Sequence, residues 1–542
     1  MSSKIRGFLA TILIIFLIVQ PLFDVYMAVI GESLDILGIS VVTLLRTTTC
    51  VILVIIVAIC QIRNRYKIKW LVGLITYLSL VVIYAIAHHM NIVLSDGYFV
   101  TQGIYNAITE LMYVLRLVVP VILIYTVVLV KPNKEQVEKS IISVVFIISL
   151  VIIITNILKI SYTSYATTSE IIEYNIFDWF TNSELPYKLT LSKGLFVSAN
   201  QIGALLAILL PVVIMYIIKN NKTFTYIVFL FAVIAMLLVG TRVASYGFIL
   251  ITIAMLIGTI VIAVIRKQRI EPIILIAIFS IMLLGIGIYT KSPARNRTFL
   301  AYEDGMYHET YKEIIDTEEY ITVNEFKEML QDESKLKDYM KYSNERSINK
   351  QELRYIAMCK YIKENYTYHS ITRKYIMDIY PYTQDPEFWF SLFEEPVSVK
   401  GDNRIRQSVI IKRIKEVNNN YFFDTLVGMG ATPMNSRAYM IEKDLIAHYY
   451  NIGIVGIILF VAPYAAIVMY AGIVVLKDIK NRLTSRVAAY MIGIVMTYGA
   501  GYFAGHVIDE YIITIYVATI SGLTINHVNE ILGGNLNERD NA

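Results

Sequence analysis

Long apolar runs recur along most of the chain, separated by short polar turns and by two long polar segments. Each run is about 18 to 25 residues long, which is enough to cross roughly 30 Å of hydrocarbon as a helix. The pattern predicts about twelve membrane-spanning helices. They are expected at 7–28, 37–60, 70–89, 109–130, 141–159, 193–218, 223–240, 242–265, 271–290, 446–476, 486–505 and 508–526.

The two long polar segments differ from the apolar runs in composition. Residues 160–192 are rich in Ser, Thr, Tyr and Glu, and residues 291–445 are charged and rich in Tyr. The stretch 347–363 in the second segment has a helical pattern. The sequence thus predicts nine spans in 1–290, a large loop domain in 291–445, three more spans in 446–526, and a tail in 527–542. A solvated accessory loop is the alternative interpretation of 291–445.

Basic residues indicate the orientation in the membrane. Lys and Arg collect in 61–69, 131–139, 219–222, 266–269 and 477–486, and each of these segments follows an even-numbered span. Because cytoplasmic loops carry an excess of Lys and Arg, both termini are predicted to be cytoplasmic. The tail 527–542 is then cytoplasmic, and both long polar segments face the outside.

Composition supports this class and excludes others. The chain has 542 residues, of which 56% are apolar, as expected for an integral membrane protein. The net charge of +5 collects in short loops, so nucleic acid is not an expected partner. Three cysteines do not make a disulfide framework. Residues 1–22 start like a secretory signal, but without a small-residue cleavage pattern they are expected to stay as the first helix.

Three arginines fall in or beside apolar runs, at the end predicted to face outward: Arg46, Arg116 and Arg242. An arginine at such a depth costs a few kcal/mol unless it is paired or lines a wet cavity. Guanidinium binds phosphate as a two-pronged fork, so a site for a lipid-linked diphosphate is one interpretation. The alternatives are interhelical ion pairs for Arg46 and Arg116, and an anchor on lipid phosphate for Arg242.

The stretch Ser-Ala-Asn-Gln-Ile-Gly at 198–203 places polar amides at the outer end of the sixth predicted span. A helix that enters the membrane here presents its N-terminal N–H groups outward, and these groups attract anions. Asn200 is therefore a candidate anion ligand. Simple helix capping is the alternative.

Acidic and imidazole side chains lie where the large polar segment ends. Glu442, Asp444 and His448 precede the tenth predicted span, and Asp444 and His448 share a helix face if the helix begins that early. A carboxylate that orients an imidazole is a plausible general base, and Glu442 is an alternative base. The alternative is that these residues only form a polar helix start, with His448 at the membrane interface. The later turn with His506, Asp509 and Glu510 is interpreted as exposed.

Several of these motifs, in this order, resemble the bacterial O-antigen ligase and O-antigen polymerase superfamily. They are Ser-Ala-Asn at 198–200, Gly-Thr-Arg at 240–242, and the large outside loop after the ninth span. The loop ends on Arg404 and Arg406, then Gly-Met-Gly at 428–430, then a polar helix start that continues into Gly-Ile-Val-Gly at 453–456. The similarity extends from about residue 190 to about residue 460.

The resemblance implies a polytopic all-α membrane glycosyltransferase with a GT-C-type fold, in the cytoplasmic membrane of a bacterium. Such proteins transfer a glycan from undecaprenyl diphosphate to a growing glycan or lipid acceptor on the outer side, without a metal or other cofactor. Membrane lipids and other polysaccharide assembly proteins are further expected partners. By this resemblance Arg242 and Arg406 would bind the diphosphate. Arg116, Arg46 and Asn200 are supporting candidates from their positions in the sequence alone. Glu442, Asp444 or His448 would be the base.

One departure from the family pattern bears on the reaction. Ligases that this chain resembles usually begin the helix after the loop with His-Asn, roughly eleven residues before the first glycine of the Gly-x-x-Gly pair. Here that place holds Glu442, with Asp444 two residues further on. This form favours an inverting, metal-independent polymerase of lipid-linked repeat units, with ligase-type transfer as the alternative.

Two further alternatives belong to other classes. A flippase or secondary transporter suits twelve spans, but the long loop after the ninth span breaks a six-plus-six arrangement, and no repeat is visible. A metal-dependent transferase would need paired acids in the first outside loop. Asp24, Glu32 and Asp35 are scattered there instead.

Overall fold

The computed structural model describes residues 2–30, 35–36, 39–65, 67–94, 105–165, 170–182, 185–295, 321–341, 349–369, 371, 373–396, 403–418, 420–432 and 441–534. Glu32 and Arg404 are outside the residues whose side chains are described. Almost all regular structure is helical, and the named strands in the described ranges are the two-residue antiparallel pair β1 (Asp35–Ile36) and β2 (Ile39–Ser40).

The first half of the chain forms a bundle of long apolar helices. Its helices are α1 (Ser3–Val19), α2 (Leu22–Ile30), α3 (Val41–Asn64), α4 (Ile68–Leu94), α5 (Ala107–Val130), α6 (Lys134–Ile157), α7 (Asp178–Thr181), α8 (Tyr187–Thr190), α9 (Ala199–Asn220), α10 (Thr223–Val239), α11 (Arg242–Arg266) and α12 (Pro272–Tyr289).

The second half contains a set of shorter polar helices and then returns to the bundle. The shorter helices are α13 (Val323–Met329), α14 (Glu333–Met340), α15 (Lys350–Asn365), α16 (Pro386–Glu394), α17 (Asn403–Val417) and α18 (Tyr421–Val427). The bundle resumes with α19 (Asp444–Gly456), α20 (Ala462–Leu476), α21 (Ile479–Arg482), α22 (Ser485–Phe503) and α23 (Tyr511–Leu532). The helix predicted at 347–363 is confirmed by α15.

The protein is a multi-pass α-helical membrane protein. Within the described ranges, nine helices are long and apolar enough to cross a membrane, or ten if α1 and α2, bent by 41°, form one span. The other two predicted spans correspond to α10, which is 17 residues long, and to α22. Helices at the periphery expose large apolar side chains, such as Ile83 (63% exposed) and Val264 (72% exposed), as expected for surfaces that face lipid.

Two helices form the centre of the bundle. Nearly every residue of α9 and of α23 is buried. The α23 helix packs on α5, and α9 packs on α11 and α22. Polar groups are buried near the first residues of α6 and α22. Arg486 Nε and Nη2 lie 2.5 and 3.1 Å from the carboxylate of Glu138. The Tyr490 hydroxyl donates to the same carboxylate.

The helices between α12 and α19 have a hydrophobic core of their own. Trp389, Tyr361 and Phe326 are fully buried in it, and Trp389 Nε1 donates to the carbonyl of Tyr380 over 2.8 Å. Residues 321–432 therefore contribute a packed helical domain, which we call the loop domain.

The predicted span 446–476 is interrupted by a kink. Gly453 has φ +65° and ψ −176° inside α19, and a π-helical turn (Ile457–Val461) follows before α20. The kink packs against Gly428, whose φ is +85°. A Cβ on Gly428 would lie 2.2 Å from the carbonyl oxygen of Asn451, so only glycine allows the two backbones to approach this closely. This contact joins the loop domain to the bundle.

Candidate active site

Asp444 shapes the site by holding a turn of the backbone. It is the first residue of α19, and its carboxylate accepts hydrogen bonds from the N–H groups of His506, Val507 and Ile508 at 2.5, 2.7 and 2.8 Å. The carboxylate is therefore the anchor of the turn between α22 and α23. The expectation that it orients the His448 imidazole is wrong, because His448 Nδ1 bonds to the Asp444 backbone carbonyl instead, at 2.6 Å.

The turn itself is buried. Val507, Ile508 and Asp509 are 0, 4 and 7% exposed. The interpretation of 505–510 as an exposed turn is therefore wrong. Its polar sequence is typical of a turn in solvent, but the Asp444 carboxylate accepts its backbone N–H groups from inside the bundle, and the Asp509 side chain is buried with it.

His448 presents one ring nitrogen to the interior with no partner. A carbonyl oxygen can only accept, so Nδ1 carries the hydrogen in the bond to Asp444. In neutral His448 the lone pair is then on Nε2. The residue is 1% exposed, and Nε2 has no hydrogen-bond partner in the described part of the chain. A buried polar atom without a protein partner is uncommon, and a catalytic role or a bound water or ion are among its physical explanations.

Asp509 also has a buried polar atom without a hydrogen-bond partner among the described residues. Its Oδ1 is buried and has no hydrogen-bond partner in the described ranges, whereas its Oδ2 lies 3.5 Å from His506 Nδ1. The Asp509 carboxylate raises the pKa of His506 from 6.5 to about 10. Burial works to raise the pKa of Asp509, but the charge and the hydrogen bond of His506 hold that pKa well below its usual range. Asp509 is thus a carboxylate that stays charged beside His448.

Glu510 connects the turn to α5. Arg116 Nη1 lies 3.2 Å from Glu510 Oε1, and both side chains are partly exposed, at 29 and 25%. Burial raises the pKa of Glu510, and the Arg116 guanidinium partly offsets this effect. Arg116 therefore lies at the edge of the same site as His448 and Asp509, as an ion pair with an accessible face.

Arg46 forms a deeper ion pair nearby. Its Nη2 lies 2.6 Å from Asp24 Oδ1 and 2.8 Å from the carbonyl of Gln20, with both charged side chains about 6% exposed. The next residue, Thr47, donates to the hydroxyl of Tyr511 over 2.9 Å. Arg46 is thus beside the start of α23, and its guanidinium is engaged within the bundle.

Glu442 and Arg406 approach the site from the loop domain. The Glu442 N–H donates to Gln407 Oε1 over 3.3 Å, and a Cβ on Gly505 would lie 3.1 Å from the Glu442 Cα. Arg406 is 5% exposed, with its guanidinium carbon 4.9 Å from the centre of the Tyr375 ring. Glu442 therefore lies against Gly505, the residue that precedes His506 in the turn.

Arg242 and Asn200 lie on a different pair of helix ends. Gly240 has φ +64°, Thr241 caps α11 through its side chain, and Arg242 is the first helical residue, exposed and without a hydrogen bond or ion pair to another described residue. Asn200 is half-buried in the first turn of α9, where Ser198 makes no side-chain cap. No hydrogen bond between described residues links these two to His448 or Asp509.

Sequence reasoning missed a polar scaffold beneath the site. His88 bridges the Val427 carbonyl and Glu110 at 2.6 and 2.9 Å, and Glu110 accepts the N–H groups of Ala431 and Thr432. In the same way Asn91 donates to the Gly428 carbonyl over 2.9 Å. The sequence signal for this scaffold was the pair of polar residues His88 and Asn91, three positions apart in the apolar run of α4. They hold the Gly-Met-Gly segment against α19.

His506, Asp509 and Glu510 also offer ligand atoms that all lie within 4.8 Å of one another, a spacing that suits a metal ion. In this structure His506 pairs with Asp509, and Glu510 pairs with Arg116. The three residues could hold a cation only if these ion pairs opened.

The fold and this site define a multi-pass membrane protein with a buried polar site where the loop domain meets the helix bundle. The chain belongs to the family described as O-antigen ligase like membrane protein, whose model matches residues 6–531. The resemblance found in the motifs is thereby confirmed over nearly the whole chain. No curated protein matches the chain.

Proposed function

We propose that the protein is a membrane glycosyltransferase that polymerises undecaprenyl-diphosphate-linked repeat units on the outer side of a bacterial cytoplasmic membrane. The observation that carries this proposal is His448 Nε2, a buried nitrogen near the Asp509 carboxylate for which the described residues offer no hydrogen-bond partner. A base, an adjacent anion and arginines at one end of the helices are what glycosyl transfer from a diphosphate requires.

In the proposed reaction the acceptor hydroxyl is placed against His448. Its oxygen attacks the anomeric carbon of the donor while the bond from that carbon to the diphosphate oxygen breaks. The hydroxyl proton passes to His448 Nε2, and the bonding electrons leave with undecaprenyl diphosphate. Attack opposite the leaving group inverts the anomeric centre. The Asp509 carboxylate stabilises the imidazolium that forms, as a neighbouring anion stabilises any cation.

Arginines serve the leaving group in this scheme. Arg116 is partly exposed at the site and can exchange Glu510 for a diphosphate oxygen. Arg242, exposed at the start of α11, is a second candidate, and Arg406 a third from the loop domain. Arg46 is engaged by Asp24 and acts on the site through packing. Charge that develops on the diphosphate is stabilised by donors held in place beforehand.

The three base candidates now differ in role. Asp444 accepts three backbone N–H bonds and is committed to the turn, so it is a positioning residue. His448 has the free lone pair. Glu442, half-buried beside Gly505 at the edge of the loop domain, is placed to bind the acceptor glycan.

Ligase-type transfer is the second candidate, because the matching family is named for ligases. A deletion strain distinguishes the two. A polymerase predicts that long surface polysaccharide is lost while single lipid-linked repeat units accumulate. A ligase predicts long chains that persist on the lipid carrier. An unchanged profile of both pools contradicts glycan transfer and favours transport.

Complementation of the same strain tests the site. We expect His448→Gln to fail to restore long chains at normal protein levels. The matched control is His89→Gln, since His89 lies on the exposed side of α4 near the same end of the bundle. Full polymer from His448→Gln would contradict the base assignment.

A further inference from the structure

A polar cavity lies at the end of the helix bundle that is opposite to His448. Its volume is about 480 Å³, and it lies between the C-terminal ends of α9 and α11 and the N-terminal ends of α12 and α22. Ser485 lines the cavity and begins α22, and the opposite end of α22 leads into the turn at 505–510. The cavity is therefore separated from the candidate active site by the length of the bundle.

The lining of this cavity is amphipathic. Lys219, Arg269 and Glu271 are its charged residues, so two cations face one carboxylate. Glu271 Oε2 accepts from Asn221 Nδ2 over 3.4 Å, which ties the carboxylate to the end of α9. Isoleucines from α9, α11 and α12 cover the side of the cavity nearest the apolar part of the bundle.

Helix ends also lie at the cavity. The α12 helix begins at Pro272 with no hydrogen bond from its capping side chain, and Ser485, the first residue of α22, lines the cavity. The N-terminal ends of α12 and α22 point their positive dipole ends toward the cavity, and the C-terminal ends of α9 and α11 point their negative dipole ends there. The helix ends therefore add no net charge, and Lys219 and Arg269 supply the positive character. Lys222 and Lys267 are exposed on the same face but do not line the cavity.

We propose that this cavity binds the phosphate of an anionic phospholipid headgroup from the adjacent leaflet. A basic pocket between helix ends at the level of the headgroups has the chemistry for such a lipid. Arg269, which makes no hydrogen bond or ion pair to another described residue, bonds the phosphate together with Lys219. The cavity's amides bond the headgroup hydroxyls, and the isoleucines contact the acyl chains. This proposal is independent of the glycosyltransferase assignment.

The test is native mass spectrometry on the full-length chain in detergent, titrated with phosphatidylglycerol or phosphatidylcholine. We expect one phosphatidylglycerol to bind in preference to phosphatidylcholine. In the double variant Lys219→Gln/Arg269→Gln, affinity should fall roughly thirtyfold, at about fivefold for each cation removed. The matched control is Lys222→Gln/Lys267→Gln, which removes the same charge from the same face and should leave affinity unchanged.

Three results would overturn the proposal: equal binding of the two lipids, equal loss in both double variants, or displacement of the lipid by inorganic phosphate at matched concentration. The last result would identify free phosphate as the ligand. If the double variant is not recovered folded, Arg269→Gln alone replaces it. Arg269 is exposed, so its substitution leaves the packing intact, and a fivefold loss of phosphatidylglycerol affinity is still expected.

Discussion

Arg116 Nη1 and Glu510 Oε1, 394 residues apart in sequence, lie 3.2 Å apart across the edge of the candidate active site. The pair joins α5 to the turn before α23, and Asp444 holds that turn from α19. Three distant parts of the chain therefore meet at one polar centre, and His448 Nε2 lies there with no hydrogen-bond partner among the described residues.

Replacing Arg116 tests whether its guanidinium acts on the leaving group. We expect Arg116→Ala to lower the rate of polymer synthesis by about 100- to 1000-fold, as for the loss of one preorganised donor elsewhere. Arg116→Lys should recover little, because an ammonium cannot form the two-pronged bond. Rates are compared at equal amounts of membrane-inserted protein, and a Lys variant as active as the wild type would rule this role out.

Asp444→Asn should destabilise the protein rather than act only on chemistry. The amide loses the charge that accepts three N–H groups and brings a donor toward them. We expect a loss of about 3 kcal/mol in the free energy of unfolding, measured by thermal denaturation in detergent. An Asn variant with wild-type stability and no activity would instead make Asp444 a group in the reaction.

Variants of the Arg46–Asp24 pair distinguish a structural role of Arg46 from a role in the reaction. Arg46→Met alone leaves Asp24 buried and uncompensated, which should cost about 3–5 kcal/mol. The double variant Arg46→Met/Asp24→Leu should regain most of that stability, because both charges are removed together. If Arg46 acts through packing alone, the double variant also regains activity. A stable but inactive double variant would assign Arg46 to the diphosphate.

Glycine is required where the loop domain meets α19. Gly453→Ala places a Cβ 2.5 Å from the Gly428 nitrogen at φ +65°, so we expect a loss of about 3 kcal/mol or more and poor membrane insertion. Gly472→Ala on α20 is the matched control, since its Cβ would meet nothing nearer than 3.8 Å. Equal yields and equal melting temperatures for the two variants would contradict this account of the kink.

The His506–Asp509 pair predicts a pH dependence. The pKa of His506 is raised from 6.5 to about 10, so its imidazolium stabilises the fold fully below pH 6.5, and this contribution is lost as pH rises through about 10. The stability gap between wild type and His506→Gln should be largest near about pH 6 and shrink by about pH 11. Thermal denaturation of both proteins across this pH range measures this difference in stability. A gap that widens with pH would mean that His506 is neutral when folded.

The spans were predictable because each helix carries a long apolar run that local sequence reveals. Partners across the bundle were not, since nothing near Arg116 in sequence indicates Glu510, and nothing near Arg46 singles out Asp24. The turn at 505–510 has a polar sequence typical of solvent-exposed loops. Its burial arises from Asp444, 62 to 64 residues earlier, and only the folded structure shows that contact.

The most direct test of the central claim uses purified protein in lipid nanodiscs with an undecaprenyl-diphosphate-linked repeat unit as the sole glycan. Products are separated by length, and the released undecaprenyl diphosphate is measured. We expect the wild type to make longer lipid-linked glycans and to release one carrier per bond formed, and His448→Gln to give neither product. Equal product from the two proteins, or no carrier release by an intact wild type, would contradict it.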